Sequence, residues 1–338
     1  MDTYTLLVVI VVAALLFEFA NGWNDAANSI ATIVSTRVLT PLPAVAWAAF
    51  WNFFAALLGV YFTGFYEVAR TMGKGLVHLE MVNEYVLLAG LFGAILWTAV
   101  CTWLGLPISV SHSLMGGYGG AAVAKAGFSA LITSGWVKPL IFIFLAPLIG
   151  MAGAIVFSIV TSWIVRRQAP QRVDRWFRRL QLLSAAGYSL GHGTNDAQKG
   201  MGVIWAALLA AGALSHEVPH PPWWVIISCH GAIAGGTLAG GWRVIKTMGQ
   251  RITKLTPFSG FSAETAGGLT LLGTAQAGIP VSTTHVITGA IIGVGASRRL
   301  TAVRWGITHR ILWAWILTIP GAAGLGALLF YFFGGLGG

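Results

Sequence analysis

The sequence predicts an all-α polytopic membrane protein made of two inverted-topology repeats, with broken helices and re-entrant hairpins. Three observations lead to this fold class. Hydrophobic residues make up 56% of the 338 residues and charged residues only 9%, whereas a soluble domain carries about 25% charged residues. The apolar stretches are long and continuous rather than alternating, which disfavours an outer-membrane barrel. Several motifs of the first half recur in the same order in the second half.

The apolar stretches of the first half can be placed in chain order by their hydropathy. The first span is expected from Leu6 to about Val34, with a helix break at Asn24-Asp25. A carboxylate at membrane depth costs on the order of 3 kcal/mol or more, so Asp25 is a candidate functional residue. Further spans are expected at 43–62, 86–104 and 139–165, with a hydrophilic loop at 64–84.

The second half retraces these motifs, which indicates an internal duplication. Residues 1–165 are predicted to form the first repeat, 166–180 a linker and 181–338 the second repeat. The matched motifs are Gly22-Trp23-Asn24-Asp25-Ala26 with Gly193-Thr194-Asn195-Asp196-Ala197, Thr71-Met72-Gly73 with Thr247-Met248-Gly249, and Pro107-Ile108-Ser109-Val110-Ser111-His112 with Pro280-Val281-Ser282-Thr283-Thr284-His285.

The charges predict how the repeats lie in a cell membrane. The net charge of +10 comes from basic residues between apolar runs, a pattern typical of membrane orientation rather than nucleic-acid binding. The linker carries six arginines and is therefore expected in the cytoplasm. In each matched pair of loops one member is richer in Lys and Arg, and the richer member alternates, as inverted repeats require. Both termini are then expected outside the cytoplasm.

The cysteines and the N-terminus add two expectations. Cys101 and Cys229 lie in apolar stretches, so packed thiols are expected rather than a disulfide or a metal pair. No basic region precedes the first apolar stretch, so we expect no cleaved signal peptide.

Two proline-interrupted segments, at 105–109 and 277–282, indicate a binding site, because such segments in corresponding places form the sites of many transporters. Proline followed by Ser or Thr favours a helix start with a capping hydroxyl. A helix N-terminus offers free N–H groups and partial positive charge, which suit an anion. The candidate anion-binding residues are Ser109, Ser111, Ser113, Ser282, Thr283, Thr284, Asn28 and Lys199.

The duplicated Asn-Asp pairs suit a cation. Carboxylate and amide oxygens are hard ligands for a small cation, and a carboxylate also accepts a proton. Asp25 and Asp196 are the expected metal ligands if the cation is Na⁺. The candidate cation-binding residues are Asn24, Asp25, Asn195, Asp196 and, more weakly, Glu264.

Other roles are open for several of these residues. Any single Ser or Thr hydroxyl could instead bond the preceding helical turn or join two helices. Lys199 could contact the anion, pair with Asp196 or snorkel to the interface. His112 and His285 fit a structural role at the hairpins better than proton transfer.

Together the two Asn-Asp motifs and the two Pro-x-Ser-x-Ser/Thr-His motifs resemble the signatures of the inorganic phosphate transporter family. The resemblance covers nearly the whole chain. It implies symport of phosphate with Na⁺ or H⁺, inverted repeats with re-entrant hairpins, commonly a homodimer, and no cofactor other than the coupling ion. Some bacterial members move sulfate, so a sulfate permease of the same fold is the alternative.

Two further classes compete with a symporter. An intramembrane hydrolase would use the same residue types, but its nucleophile and base must be unlike partners, whereas these polar residues are duplicated symmetrically. A channel would carry the anion without accumulating it against a gradient.

Overall fold

The chain is described from a computed structural model, which covers residues 3–334 apart from 62–65, 67, 71–74, 82, 216–217, 219, 278 and 280. The described part is helical, with one isolated β-bridge between Val77 and Leu131. This confirms the predicted all-α class. The main helices are α1 (Thr3–Ser35), α2 (Pro41–Tyr61), α3 (Glu84–Leu104), α4 (Val110–Ala126), α5 (Thr133–Val165), α6 (Pro170–Ala210), α7 (Trp223–Ala239), α8 (Trp242–Lys246), α9 (Pro257–Gln276), α10 (Thr283–Ala296) and α11 (Trp305–Gly334).

Length and hydropathy mark several of these helices as membrane spans. Within the described ranges, α1, α3, α5 and α11 are each long and apolar enough to cross a bilayer. A fifth candidate is α7 together with the segment 242–251, which is bent by 64° relative to α7. Such helices satisfy their backbone groups internally, which a hydrocarbon environment requires.

The Asn-Asp pairs do not break their helices. α1 runs from Thr3 to Ser35 and α6 from Pro170 to Ala210, so the break expected at Asn24-Asp25, and at its copy in α6, is wrong. Several polar side chains of the two motifs have partners on neighbouring helices, although Asn195 has none within the described residues. Asn24 Nδ2, for example, donates to Thr102 Oγ1 of α3 at 2.7 Å.

Most of the linker predicted at 166–180 is helical as well. α5 ends at Val165 and α6 begins at Pro170, a residue suited to the first helical turn because it has no N–H to satisfy. The 41 residues of α6 span about 60 Å, roughly twice the thickness of a bilayer core. The Arg-rich start of α6 therefore extends beyond the apolar layer, where Arg178 pairs with Asp174 at 2.9 Å.

The chain does break at the two proline-containing segments, as predicted. α3 ends at Leu104 and is capped by Gly105, whose φ of 72° is readily adopted by glycine, and α4 starts after Ser109. In the second half α9 ends at Gln276 and α10 starts after Ser282. Two residues of this second segment, Gly278 and Pro280, lie outside the described residues, as does the whole Thr71-Met72-Gly73 motif.

Each of the two helix pairs begins and ends at one end of the molecule. Arg298 Nη2, just after α10, donates to Thr256 Oγ1, just before α9, at 2.7 Å. In the first half the segment leading to α3 contacts the segment after α4, because His78 N donates to Ala130 O at 2.9 Å. α3 with α4, and α9 with α10, are therefore helical hairpins, which we call the first and second hairpin.

The two halves pack reciprocally. The first hairpin packs against α1 and α11, and the second against α6 and α5. Small residues allow this close approach: a Cβ on Gly116 would lie 2.4 Å from Ile319 O, and one on Gly289 would lie 2.1 Å from Pro147 O. Each hairpin is thus covered by a long helix of the opposite half.

Candidate functional site

The site centres on the two duplicated carboxylates, which come from different halves of the chain. Asp25 of α1 and Asp196 of α6 are both buried, and one hydroxyl lies between them. Thr283 Oγ1 is 3.1 Å from Asp25 Oδ2 and 3.3 Å from Asp196 Oδ2. Thr284 Oγ1 donates to Asp25 Oδ1 at 3.1 Å. The tip of the second hairpin therefore meets both Asn-Asp motifs.

The asparagines around this centre are only partly satisfied. Asn28 Nδ2 donates to Thr284 Oγ1 at 3.0 Å and lies 3.4 Å from Thr283 Oγ1. Within the described ranges, Asn28 Oδ1, Asn24 Oδ1 and both side-chain polar atoms of Asn195 have no hydrogen-bond partner. An unpartnered buried amide costs about 1–3 kcal/mol, so such groups call for a ligand or an ordered water.

Lys199 forms an ion pair inside the site. Its Nζ lies 2.6 Å from Asp196 Oδ1, and the side chain is fully buried. Of the three roles open from the sequence, snorkelling is excluded, because the ammonium does not reach an exposed surface. The pair is internal to α6, three residues apart, where side chains share one helix face.

His192 belongs to the site and was missed by sequence reasoning. Its Nε2 lies 3.4 Å from Asp196 Oδ2 and 3.7 Å from Asp25 Oδ2, while Nδ1 is 3.1 Å from Asn52 Oδ1. One ligand atom each from Asp25, His192 and Asp196 lie within 4.8 Å of one another, a spacing that can hold a metal ion. The overlooked signal was its place four residues before Asp196, on the same face of α6.

The hairpin serines lie at the helix starts predicted for them. Ser109 Oγ accepts from His112 N, and Ser282 Oγ accepts from His285 N, each at 3.2 Å. Ser113 Oγ donates to Ser109 O at 3.3 Å, which is the local role left open above. Ser111 is buried beside them.

The two helix starts face each other. The rings of His112 and His285 have their centroids 5.0 Å apart, and the His285 ring also packs against Trp315, with centroids 3.8 Å apart and the planes tilted by 31°. Trp315 Nε1 in turn donates to Pro107 O of the first hairpin at 2.9 Å. The starts of α4 and α10 therefore lie close together, and Thr283 and Thr284 place the start of α10 beside the carboxylates.

Glu264 lies in a cluster of its own. It accepts hydrogen bonds from Thr32 Oγ1 at 2.5 Å, from Gln181 Nε2 at 3.0 Å and from Ser184 Oγ. A second buried glutamate, Glu18, accepts from Gly200 N at 2.6 Å and from Asn21 Nδ2 at 3.3 Å. The structure thus brings together Asp25, Asp196, Asn28, Lys199, Thr283 and Thr284, and gives Glu264 separate partners.

The described helices form an apolar bundle with a buried polar centre, an arrangement typical of membrane transporters. The matching family is the phosphate transporter family, over residues 21–326, so the chain belongs to that family. It is a membrane protein.

Curated relatives match over nearly the whole chain. A probable low-affinity inorganic phosphate transporter of Rhizobium meliloti (strain 1021) is 52% identical, over 97% of this chain and 96% of that protein. One with the same description from Bacillus subtilis (strain 168) is 42% identical, over 96% of both. A solved structure, described as the sodium-dependent phosphate transporter, matches with a TM-score of 0.84 at 24% identity, over 97% of this chain and 99% of that one, and it supports the fold.

Proposed function

We propose that this chain is a secondary active transporter that moves inorganic phosphate across the cell membrane together with a cation, Na⁺ or H⁺. The observation that carries the proposal is the contact between the second hairpin and both carboxylates. Thr283 reaches Asp25 and Asp196 at 3.1 and 3.3 Å, directly beside the start of α10. A region suited to an anion and a region suited to a cation therefore share a boundary.

The anion would be held by the two helix starts. The backbone N–H groups at 110–111 and 283–284, which precede the capped His112 and His285, and the hydroxyls of Ser109, Ser111 and Ser282 are donors suited to a tetrahedral oxyanion. Thr283 and Thr284 could serve either ligand, because a hydroxyl has one donor and two lone pairs. Carboxylates without a cation would repel phosphate from this position.

The cation would be held by oxygen atoms on the carboxylate side. Asp25, the unpartnered Oδ1 atoms of Asn24 and Asn28 and the threonine hydroxyls are hard donors of the kind that small cations prefer. A proton on Asp25 would remove the same negative charge. Phosphate and cation should therefore favour each other's binding, which is the basis of symport.

The reciprocal packing supports inverted repeats with re-entrant hairpins. If the loops rich in Lys and Arg all lie on one side of the membrane, the second hairpin begins and ends on that side. The first hairpin then begins and ends on the opposite side. Arg178 Nη1 donates to Arg37 O at 3.1 Å, so the first turn lies beside the Arg-rich start of α6. We place this end in the cytoplasm by the positive-inside rule, with both termini outside and the two repeats split at 166–180.

Uptake into sealed proteoliposomes tests the function. Labelled phosphate and labelled sulfate are supplied in parallel, with a Na⁺ gradient or a pH gradient imposed separately. Phosphate accumulation driven by either gradient, and absent in Asp25→Asn, is expected. The matched control is Asp174→Asn, which removes an exposed carboxylate from α6 and should leave uptake unchanged. Flux that only equilibrates would indicate a channel, and preference for sulfate would change the substrate.

A further inference from the structure

The two halves of the site are chemically unequal at one position. Asn28 follows Asp25 by three residues, and Lys199 follows Asp196 by three residues, so the two side chains take the same place on α1 and α6. The first half presents an amide whose Oδ1 has no partner in the described part of the chain. The second half presents an ammonium group that touches its carboxylate at 2.6 Å.

The Lys199 ammonium takes the place of an external cation at Asp196. It is fully buried, and a buried charge persists only when it is paired. The ammonium group is covalently attached to α6 and cannot leave the site, whereas a bound ion can dissociate. With Asp25 and Asp196 ionised and His192 neutral, the empty centre carries a net charge of −1, whereas it would carry −2 without the lysine.

We propose that Lys199 is a tethered cation that fills the second half of the site, so that a single external cation, bound at Asp25, accompanies each phosphate. The inference rests on the proposed cation-coupled transport of phosphate. Lys199 then sets the number of cations that are transported with each phosphate. In a symmetric site with asparagine at both positions, each carboxylate would take its own cation.

Accumulation at equilibrium measures this stoichiometry directly. Full-length protein in proteoliposomes is given a tenfold gradient of whichever cation, Na⁺ or H⁺, drives wild-type uptake, with the membrane potential held at zero. One cation per phosphate gives about tenfold accumulation of phosphate, and two give about a hundredfold, by mass action. The wild type is expected to accumulate about tenfold.

Lys199→Asn copies the residue of the first half and opens the second cation site. Accumulation should rise toward a hundredfold, at the expense of a higher cation concentration for half-maximal uptake. The exchange variant Asn28→Lys/Lys199→Asn, which moves the lysine to the other carboxylate, should return to about tenfold. Lys125→Asn removes a charge from an exposed position on α4 and serves as the matched control.

Two results would overturn the inference while leaving the function in place. One is wild-type accumulation near a hundredfold, which needs no variant and so does not depend on the folding of Lys199→Asn. The other is a folded Lys199→Asn protein that keeps tenfold accumulation and only binds phosphate more weakly, which would make Lys199 an anion ligand. Absence of any cation-driven phosphate uptake in the wild type would remove the proposed function itself, and the role of Lys199 with it.

Discussion

The imidazole rings of His112 and His285 lie with their centroids 5.0 Å apart, although the residues belong to different halves of the chain. Each histidine is the residue whose backbone N–H is capped by the serine three positions earlier. The ring pair therefore joins the two capped helix starts. This contact brings the donors of both hairpins to one region, which neither hairpin could form alone.

The first prediction concerns the two capping serines. Ser109→Ala and Ser282→Ala each remove a hydroxyl that caps a helix and can donate to a charged anion. We expect phosphate affinity to fall about ten- to a hundredfold, since a hydrogen bond to a charged group contributes about 1.5–3 kcal/mol. Loss of the cap adds a destabilisation of about 1 kcal/mol. Calorimetric titration with phosphate measures the affinity.

Ser158→Ala and Ser162→Ala are the controls for the serine variants, because both lie on α5 away from the hairpin tips. They should leave phosphate affinity within about twofold of the wild type, as expected away from the site. Equal effects at all four serines would show that the anion binds elsewhere.

The second prediction separates the two carboxylates by their effect on stability. Asp196→Asn leaves the buried Lys199 ammonium unpaired, which should cost about 3–5 kcal/mol of unfolding free energy. Asp25→Asn weakens the bonds from two threonine hydroxyls and the contact with His192 but leaves no lysine unpaired, and should cost about 1–3 kcal/mol. Both should abolish coupled uptake. Thermal unfolding in detergent gives the comparison.

Asp196→Asn/Lys199→Met supplies the double-variant control, because it removes both charges of the pair. Most of the lost stability should return while uptake stays absent. If Asp196→Asn alone were as stable as the wild type, Lys199 and Asp196 would not form a buried ion pair in the folded protein.

The third prediction is positive coupling between phosphate and the cation. Two like charges ~6 Å apart repel by roughly 3 kcal/mol at an effective dielectric of about 20. Lys199 already offsets part of this repulsion, so saturating cation should tighten phosphate binding about ten- to a hundredfold. Phosphate titrations at high and low Na⁺, at two pH values, test this. An affinity that ignores both cations would rule out symport by this route.

The fourth prediction concerns orientation. A cysteine at Gln171, in the exposed Arg-rich start of α6, should react with an impermeant reagent only after the cells are opened. A cysteine at Ser129, exposed beside the segment that enters the first hairpin, should react from outside. The native thiols Cys101 and Cys229 are buried, so background labelling should be low. The reverse pattern would overturn the proposed orientation.

Hydropathy and repetition predict much of this molecule from sequence. Spans such as α3 and the serine-capped starts of α4 and α10 depend on local signals, namely apolar length and a Pro-Ser sequence before a helix. The helix continuity at Asn24 could not be predicted, because its partner Thr102 lies 78 residues away in the chain. The place of His192 beside Asp196 could have been predicted from their spacing of four residues, whereas its contacts with Asn52 and Asp25 form only through the fold.

The helix that packs over the first hairpin, α11, is synthesised late. α4 is complete at Ala126, yet its glycine-lined face packs on α11, which starts at Trp305. Until α11 is inserted, Gly116 and the neighbouring glycines face lipid or a temporary partner, and the contact between Trp315 and Pro107 cannot form. In each newly made copy, the first half therefore remains incompletely packed in the bilayer until α11 is inserted. A chain truncated before residue 305 would lack the helix against which the first hairpin packs.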